Sequence, residues 1–127
     1  MSPEALSYRP FSISVERRGR EVVIVVVGDL DLASADRLER EVGQQRAAGN
    51  TRLLIDLGDV DFIDSTGLRI LLALRNSAKR NSHVLTLVPP PPTAGRIFTI
   101  TGTRSLFDWA GIEQGASGAP RFEAPEL

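Results

Sequence analysis

Apolar residues recur in two distinct periods along this chain, and the switches between them mark out its elements. Phe11, Ile13 and Val15 alternate with polar residues, the pattern of a half-buried strand. Arg17-Arg18-Gly19-Arg20 reads as a tight reversal. Val22 to Val27 are continuously apolar and β-branched, which predicts a strand covered on both faces and paired with the first as a hairpin. From Ser34 the period lengthens. Ala35, Leu38 and Val42 fall three and four apart, with Asp36, Arg37, Glu39 and Arg40 on the other face. That spacing predicts an amphipathic helix, N-capped by Ser34 and closed by Gly49-Asn50. Residues 52–58 predict another buried strand, and residues 67–82 another helix, with Leu68, Ile70, Leu71, Leu72 and Leu74 crowded near its start. At about 100° per residue, Ile70 and Leu72 lie on opposite margins of an arc centred on Leu71. The arc is wide for a helix with one face on a sheet, so one margin is expected to meet a partner. Val84 to Val88 predict a further strand, and Pro89 to Pro92 a stiff, extended connection. A short helix over residues 96–100, a turn at Gly102 and a short terminal element through Trp109 complete the pattern.

The order β-β-α-β-α-β-α implies right-handed crossovers in a single α/β domain. Its sheet is expected to be mixed and mainly parallel, with an N-terminal β-hairpin and helices packed on it. Residues 1–10 carry Pro3 and Pro10 without periodicity and read as a flexible arm. Residues 11–112 form the domain, and residues 113–127, rich in Gly, Ala, Pro and Glu, read as a flexible tail.

Composition narrows the function. The 127 residues are 42% hydrophobic, enough for one real core, so wholesale disorder is not expected. The absence of Cys removes disulfides, thiolate chemistry and Cys-based metal sites, and a lone His leaves no multi-His cluster. No cofactor and no metal are expected. A formal net charge of −1 argues against a surface that tracks nucleic-acid phosphates, so no direct nucleic-acid binding is expected. The longest apolar run is far too short to span a bilayer, and the N-terminus lacks the apolar stretch of a secretory signal. These features predict a cytoplasmic protein without membrane insertion.

Two predicted strand ends gather acids. Asp29 and Asp31 follow the Val-rich strand, and Asp59, Asp61 and Asp64 follow the next. In α/β sheets the carboxyl ends of strands are where ligands and partners bind. Turns and N-caps also draw Asp, Gly and Ser for purely structural reasons, so both readings stand at this point. An apolar strand leading into Asp29-x-Asp31 resembles the nucleophile loop of haloacid-dehalogenase-like phosphatases. That chemistry also needs a Lys followed by an acidic pair, and here Asp59 and Asp61 precede Lys79, the only Lys. Ser65 as a hydrolytic nucleophile fails as well. The sole imidazole, His83, lies beyond the far end of the predicted helix, roughly 20 Å away at 1.5 Å per residue. The chain is therefore expected not to be an enzyme.

Ser65 and Thr66 remain, in the turn that opens the Leu-rich helix. One account makes Asp64 or Ser65 an N-cap, worth about 1 kcal/mol. The other makes an exposed hydroxyl a phosphorylation point. A helix N-terminus tolerates a phosphate locally, and Asp29, Asp31, Asp61 and Asp64 would deepen the negative field that a partner meets.

Residues 54–74, with Asp64-Ser65-Thr66-Gly67-Leu68 at their centre, resemble the signature segment of the anti-sigma factor antagonists, bacterial proteins built on a STAS domain. Gly28-Asp29-Leu30-Asp31 followed by Ser34-Ala35 is similar to that family's Gly-Glu-Leu-Asp loop. Ile97-Phe98 and Thr101-Gly102 resemble its late Leu-Phe and Thr-Gly element. The resemblance runs in order from about Phe11 to Gly111. It implies a single STAS domain that, unphosphorylated, binds an anti-sigma factor which is also a serine kinase, and so frees a sigma factor for transcription. Phosphorylation of Ser65, with Thr66 the alternative, would switch binding off, and a serine phosphatase would restore it. Asp29, Asp31, Asp64, Ser65, Thr66, Gly67, Arg69 and Ile70 would then form the partner-binding face of a monomer or weak dimer. Arg69 stands where many members carry Gly, which places a long side chain beside Ser65. The competing function under the same resemblance is a non-switching STAS scaffold subunit of a transporter or signalling complex.

Overall fold

The computed structural model describes residues 9–111. Most of the expected arm and the whole expected tail therefore lie outside the described residues. The elements run β1 (Ser12–Arg18), β2 (Glu21–Leu30), α1 (Ala35–Ala47), β3 (Arg52–Ile63), α2 (Ser65–Arg80), β4 (Val84–Val88) and α3 (Pro92–Thr101), followed by a 3-10 turn over Arg104–Leu106. The strands lie in sequence order in one sheet, β1 antiparallel to β2 and the rest parallel, as expected. Arg18 pairs with Glu21 across the reversal at Gly19.

One face of β2 and β3, carrying Val22, Ile24, Val26, Leu53, Ile55 and Leu57, packs in a single core with Leu38 and Val42 of α1, Leu71 and Leu74 of α2 and Phe98 of α3. Burying aliphatic side chains of this kind contributes about 1.5–3 kcal/mol each. On the other face Val23 and Leu54 are buried, but Val25 and Val27 only half so, which makes the coverage of β2 uneven. Leu71 is fully buried while Ile70 and Leu72 are half-buried, as the helical arc predicts.

β2 runs past Val27 to Leu30, which places Asp29 within it, and three further boundaries differ from the periodicity for a local reason. β3 continues past Gly58 to Ile63, because it carries two extra residues against β2. The register steps from Val25↔Asp56 to Val27↔Asp59, and again from Gly28↔Val60 to Asp29↔Phe62. Each bulge shifts the inward phase, so the last buried residues, Val60 and Ile63, stand three apart rather than two. Helix α2 begins at Ser65, because Asp64 rather than a later residue is its N-cap. Helix α3 begins at Pro92, not Arg96. The fourth proline sits at its first position, where a missing N–H costs nothing. The terminal segment returns to the sheet, with Trp109 bridging Leu87 and stacking edge-on against Phe98 at 5.1 Å. Among the described residues no helix is long and apolar enough to cross a membrane.

Candidate functional site

The site is the corner where the ends of β2 and β3 meet the start of α2. Asp64 holds it together. Its Oδ1 accepts from the Gly67 N–H at 2.8 Å, capping α2, and its Oδ2 accepts from the Leu32 N–H at 3.3 Å, tying the β2–α1 loop to the same helix end. The Asp64 N–H itself donates to the Leu30 carbonyl at 3.2 Å. Gly67 completes the join. A Cβ there would stand 2.3 Å from the Leu30 oxygen, so only glycine lets α2 start this close to β2. Asp64 and Gly67 thus build the corner from behind, with Gly67 buried.

Ser65 is the first residue of α2 and is exposed, and its hydroxyl makes no hydrogen bond among the described residues. Thr66 is half-buried. Arg69 is exposed one helical turn beyond Ser65, and therefore on the same stripe of α2, while Ile70 flanks it half-buried. His83 sits beyond the opposite end of α2, where its backbone N–H donates to the Ala78 carbonyl. The structure thus keeps it apart from Ser65.

The β2–α1 loop is wound on its own side chains. Ser34 stands at the N-cap position of α1 but makes no capping bond to the helix. Its buried hydroxyl instead donates to the Asp29 carbonyl at 2.6 Å and accepts from the Asp31 N–H at 3.0 Å. This corrects the capping role that spacing assigned to it. The Asp31 Oδ1 accepts from the Ala33 N–H at 3.0 Å, an Asx turn.

The acids do converge, and they are not equivalent. Asp31 and Asp64 do the work of turn and cap. Asp59 and Asp61 share Arg9, whose Nε donates to Asp61 Oδ2 at 3.2 Å and whose Nη2 donates to the Asp59 carbonyl at 3.0 Å. Those carboxylates raise the pKa of the guanidinium, the hydrogen bond to Asp61 foremost. The Asp29 side chain has no hydrogen-bond partner among the described residues. Its pKa is raised, first by partial desolvation and then by the like charges of Asp31 and Asp61.

Sequence reasoning missed Arg9, which it placed in the arm. The chain reaches the site by crossing β2 at Gly28, where φ is +94° and an added Cβ would lie 3.1 Å from both the Arg9 oxygen and the Phe11 Cα. Phe11 is held there beneath the Arg37 guanidinium, 4.9 Å from the ring centre. Three exposed apolar residues were missed as well: Leu32 at 76%, Phe62 at 51% and Ile100 at 75%. A Leu inside a polar turn was a visible signal for the first. Phe62 could not be placed, because its outward direction depends on the bulges in β3.

Comparison with known proteins bears on what this corner does. A profile of the STAS domain matches residues 12–114. BtrV of Bordetella bronchiseptica, assigned as an anti-sigma factor antagonist, is 30% identical over 104 residues, 82% of this chain and 90% of its own length. The anti-sigma-B factor antagonist of Staphylococcus aureus is 29% identical over 83 residues, 65% of this chain and 77% of that protein. The crystal structure of an anti-sigma factor antagonist from Mycobacterium paratuberculosis is 28% identical and superposes with a TM-score of 0.68, covering 79% of this chain and 85% of that one.

Proposed function

Because the chain belongs to the STAS-domain family, we propose that it is an anti-sigma factor antagonist whose docking is switched off by phosphorylation of Ser65. Unphosphorylated, it binds an anti-sigma factor that doubles as a serine kinase, and so releases a sigma factor for transcription. A serine phosphatase resets the switch.

One observation carries the reading: Ser65 is the open hydroxyl of the corner. It is exposed at the first position of α2, with no hydrogen-bond partner among the described residues, whereas Thr66 is half-buried and Gly67 is buried. A kinase must bring the γ-phosphorus of ATP within bonding distance of the attacking oxygen, and Ser65 is the more exposed of the two hydroxyl residues that open α2. The first N–H groups of a helix have no intrahelical acceptors, so a phosphate there is locally tolerated. Toward a partner it acts in the opposite sense. It adds about −1.5 to −2 charge to a corner where the Asp29 carboxylate has no ion-pair partner among the described residues. In this reading Asp29, Asp31, Thr66, Arg69 and Ile70 form the partner-binding face around that point, and Asp64 and Gly67 build the corner that carries it.

The test is incubation of the full chain with a purified anti-sigma factor kinase and Mg-ATP, followed by phosphosite mapping and binding measurements. One phosphate is expected, on Ser65. Ser65→Ala should bind like the wild type, and Ser65→Asp should lose about hundredfold affinity, equivalent to about 2.7 kcal/mol. A phosphate confined to Thr66, or unchanged binding by Ser65→Asp, would refute the switch.

A further inference from the structure

Building on the reading of Ser65 as the phosphorylated residue, we propose that Arg69 receives the phosphate, its guanidinium closing over phospho-Ser65 from the next turn of α2. Arg69 follows Ser65 by four residues on that helix, and both are exposed. Residues four apart on a helix are neighbours, with about 5–6 Å between their Cβ atoms. Helical side chains also lean toward the N-terminus, so the surface that Arg69 covers lies over the turn that opens with Ser65. An acid four residues before a base is, in addition, the favourable order for such a pair.

The unphosphorylated chain gives Arg69 no such partner. The positions three and four away along α2 are Ser65, Thr66, Leu72 and Ala73, and the first turn of the helix holds no acid. Ion pairs among the described residues are made by Arg9 and Arg18, and none by Arg69. Asp64, the nearest acid in sequence, is already engaged, since its two oxygens accept from the Gly67 and Leu32 N–H groups. A phosphate on Ser65 changes this. It brings about −1.5 to −2 charge and three strong acceptor oxygens within reach of a planar, forked guanidinium, the group that pairs with phosphate bidentately. The phosphate is then held against α2 as a fixed obstacle on the docking face rather than a charge that swings free.

The test installs phosphoserine at position 65 of the full chain during translation, so that no kinase is needed. Phosphorus NMR then follows the second ionisation of the phosphate, ordinarily near pH 6. A paired guanidinium favours the dianion and lowers that midpoint. The acids of the corner, Asp29, Asp31, Asp61 and Asp64, raise it, and Arg9, bonded to Asp61, offsets them. Those groups are common to both proteins, so comparison with Arg69→Gln isolates Arg69. In Arg69→Gln the midpoint should rise by about 0.3 pH units; in Arg69→Lys it should return, and in 1 M KCl the difference should vanish. Identical titrations of wild type and Arg69→Gln overturn the clamp. Should the phosphoserine chain not fold, a carboxylate takes the place of the phosphate. Arg69→Gln should then lower the urea midpoint of Ser65→Glu more than that of the wild type, and equal drops overturn the proposal. The switch is read separately, by the affinity of the phosphoserine chain for the anti-sigma factor kinase. Unchanged affinity with a shifted titration removes the switch and leaves the clamp, and lost affinity with identical titrations does the reverse.

Discussion

At the scale of single residues, two positions at the corner carry constraints that can be measured separately. Gly67 lies closest to backbone, which cannot swing aside, with the Ile63 side chain a second, more distant neighbour at 3.1 Å. The 2.3 Å approach to the Leu30 oxygen means that Gly67→Ala must push α2 away from β2. The expected cost is about 1–3 kcal/mol, read as a lower urea midpoint with an unchanged slope. Asp29 acts through charge instead. Its pKa in the folded protein is raised, so the native state holds the proton to higher pH than the unfolded chain does. Stability from this group is therefore present at low pH. It is lost as pH climbs from the ordinary Asp value of 3.8 through the raised one. Asp29→Asn removes that loss. The midpoint of the variant should gain on the wild type across this window and then level off. A pH-independent gap in paired denaturation curves would contradict the assignment.

At the scale of elements, α1 and α2 meet through a polar group that is only partly satisfied. The Arg46 Nη1 donates to Ser77 Oγ at 3.0 Å, but Nε and Nη2 are buried without partners among the described residues, and desolvation lowers the guanidinium pKa. Replacing such a group with an apolar side chain of similar length removes a desolvation cost that one hydrogen bond does not offset. Arg46→Met should therefore unfold at or above the wild-type temperature, and a clear drop in the thermal midpoint would show that the Ser77 bond matters more. The strands show how far local pattern reaches. The Val-rich β2 and the helical spacing of Leu68, Leu71 and Leu74 were legible because one element's periodicity reports its own buried face. The end of β3 was not, since a bulge is a relation between two strands. Read alone, residues 59–63 look like a loop of turn-forming acids.

At the scale of the whole molecule, a net charge of −1 averages over a markedly uneven surface. The acids that could repel a phosphorylated face gather at one corner, and Arg9 neutralises part of them from 52 residues away in sequence. The screening length falls from about 8 Å at physiological salt to about 3 Å at 1 M. The affinity gap between wild type and Ser65→Asp should therefore narrow as salt rises. Calorimetric titration at several KCl concentrations reads it, and a gap that salt leaves unchanged would show that charge is not its cause.

The sequence by itself determined the fold class, the hairpin, the two long helices and the Asp64-Ser65 corner. These rest on the period of burial, on capping chemistry and on a motif contiguous in the chain. Only the tertiary structure decided which acids are tied to Arg9, which are spent on turns and which have no partner among the described residues, and that Phe62 and Ile100 share a groove with Asp64. Those outcomes depend on strand register and on the crossing of the chain at Gly28. Each brings together residues whose separation along the chain carries no local signature.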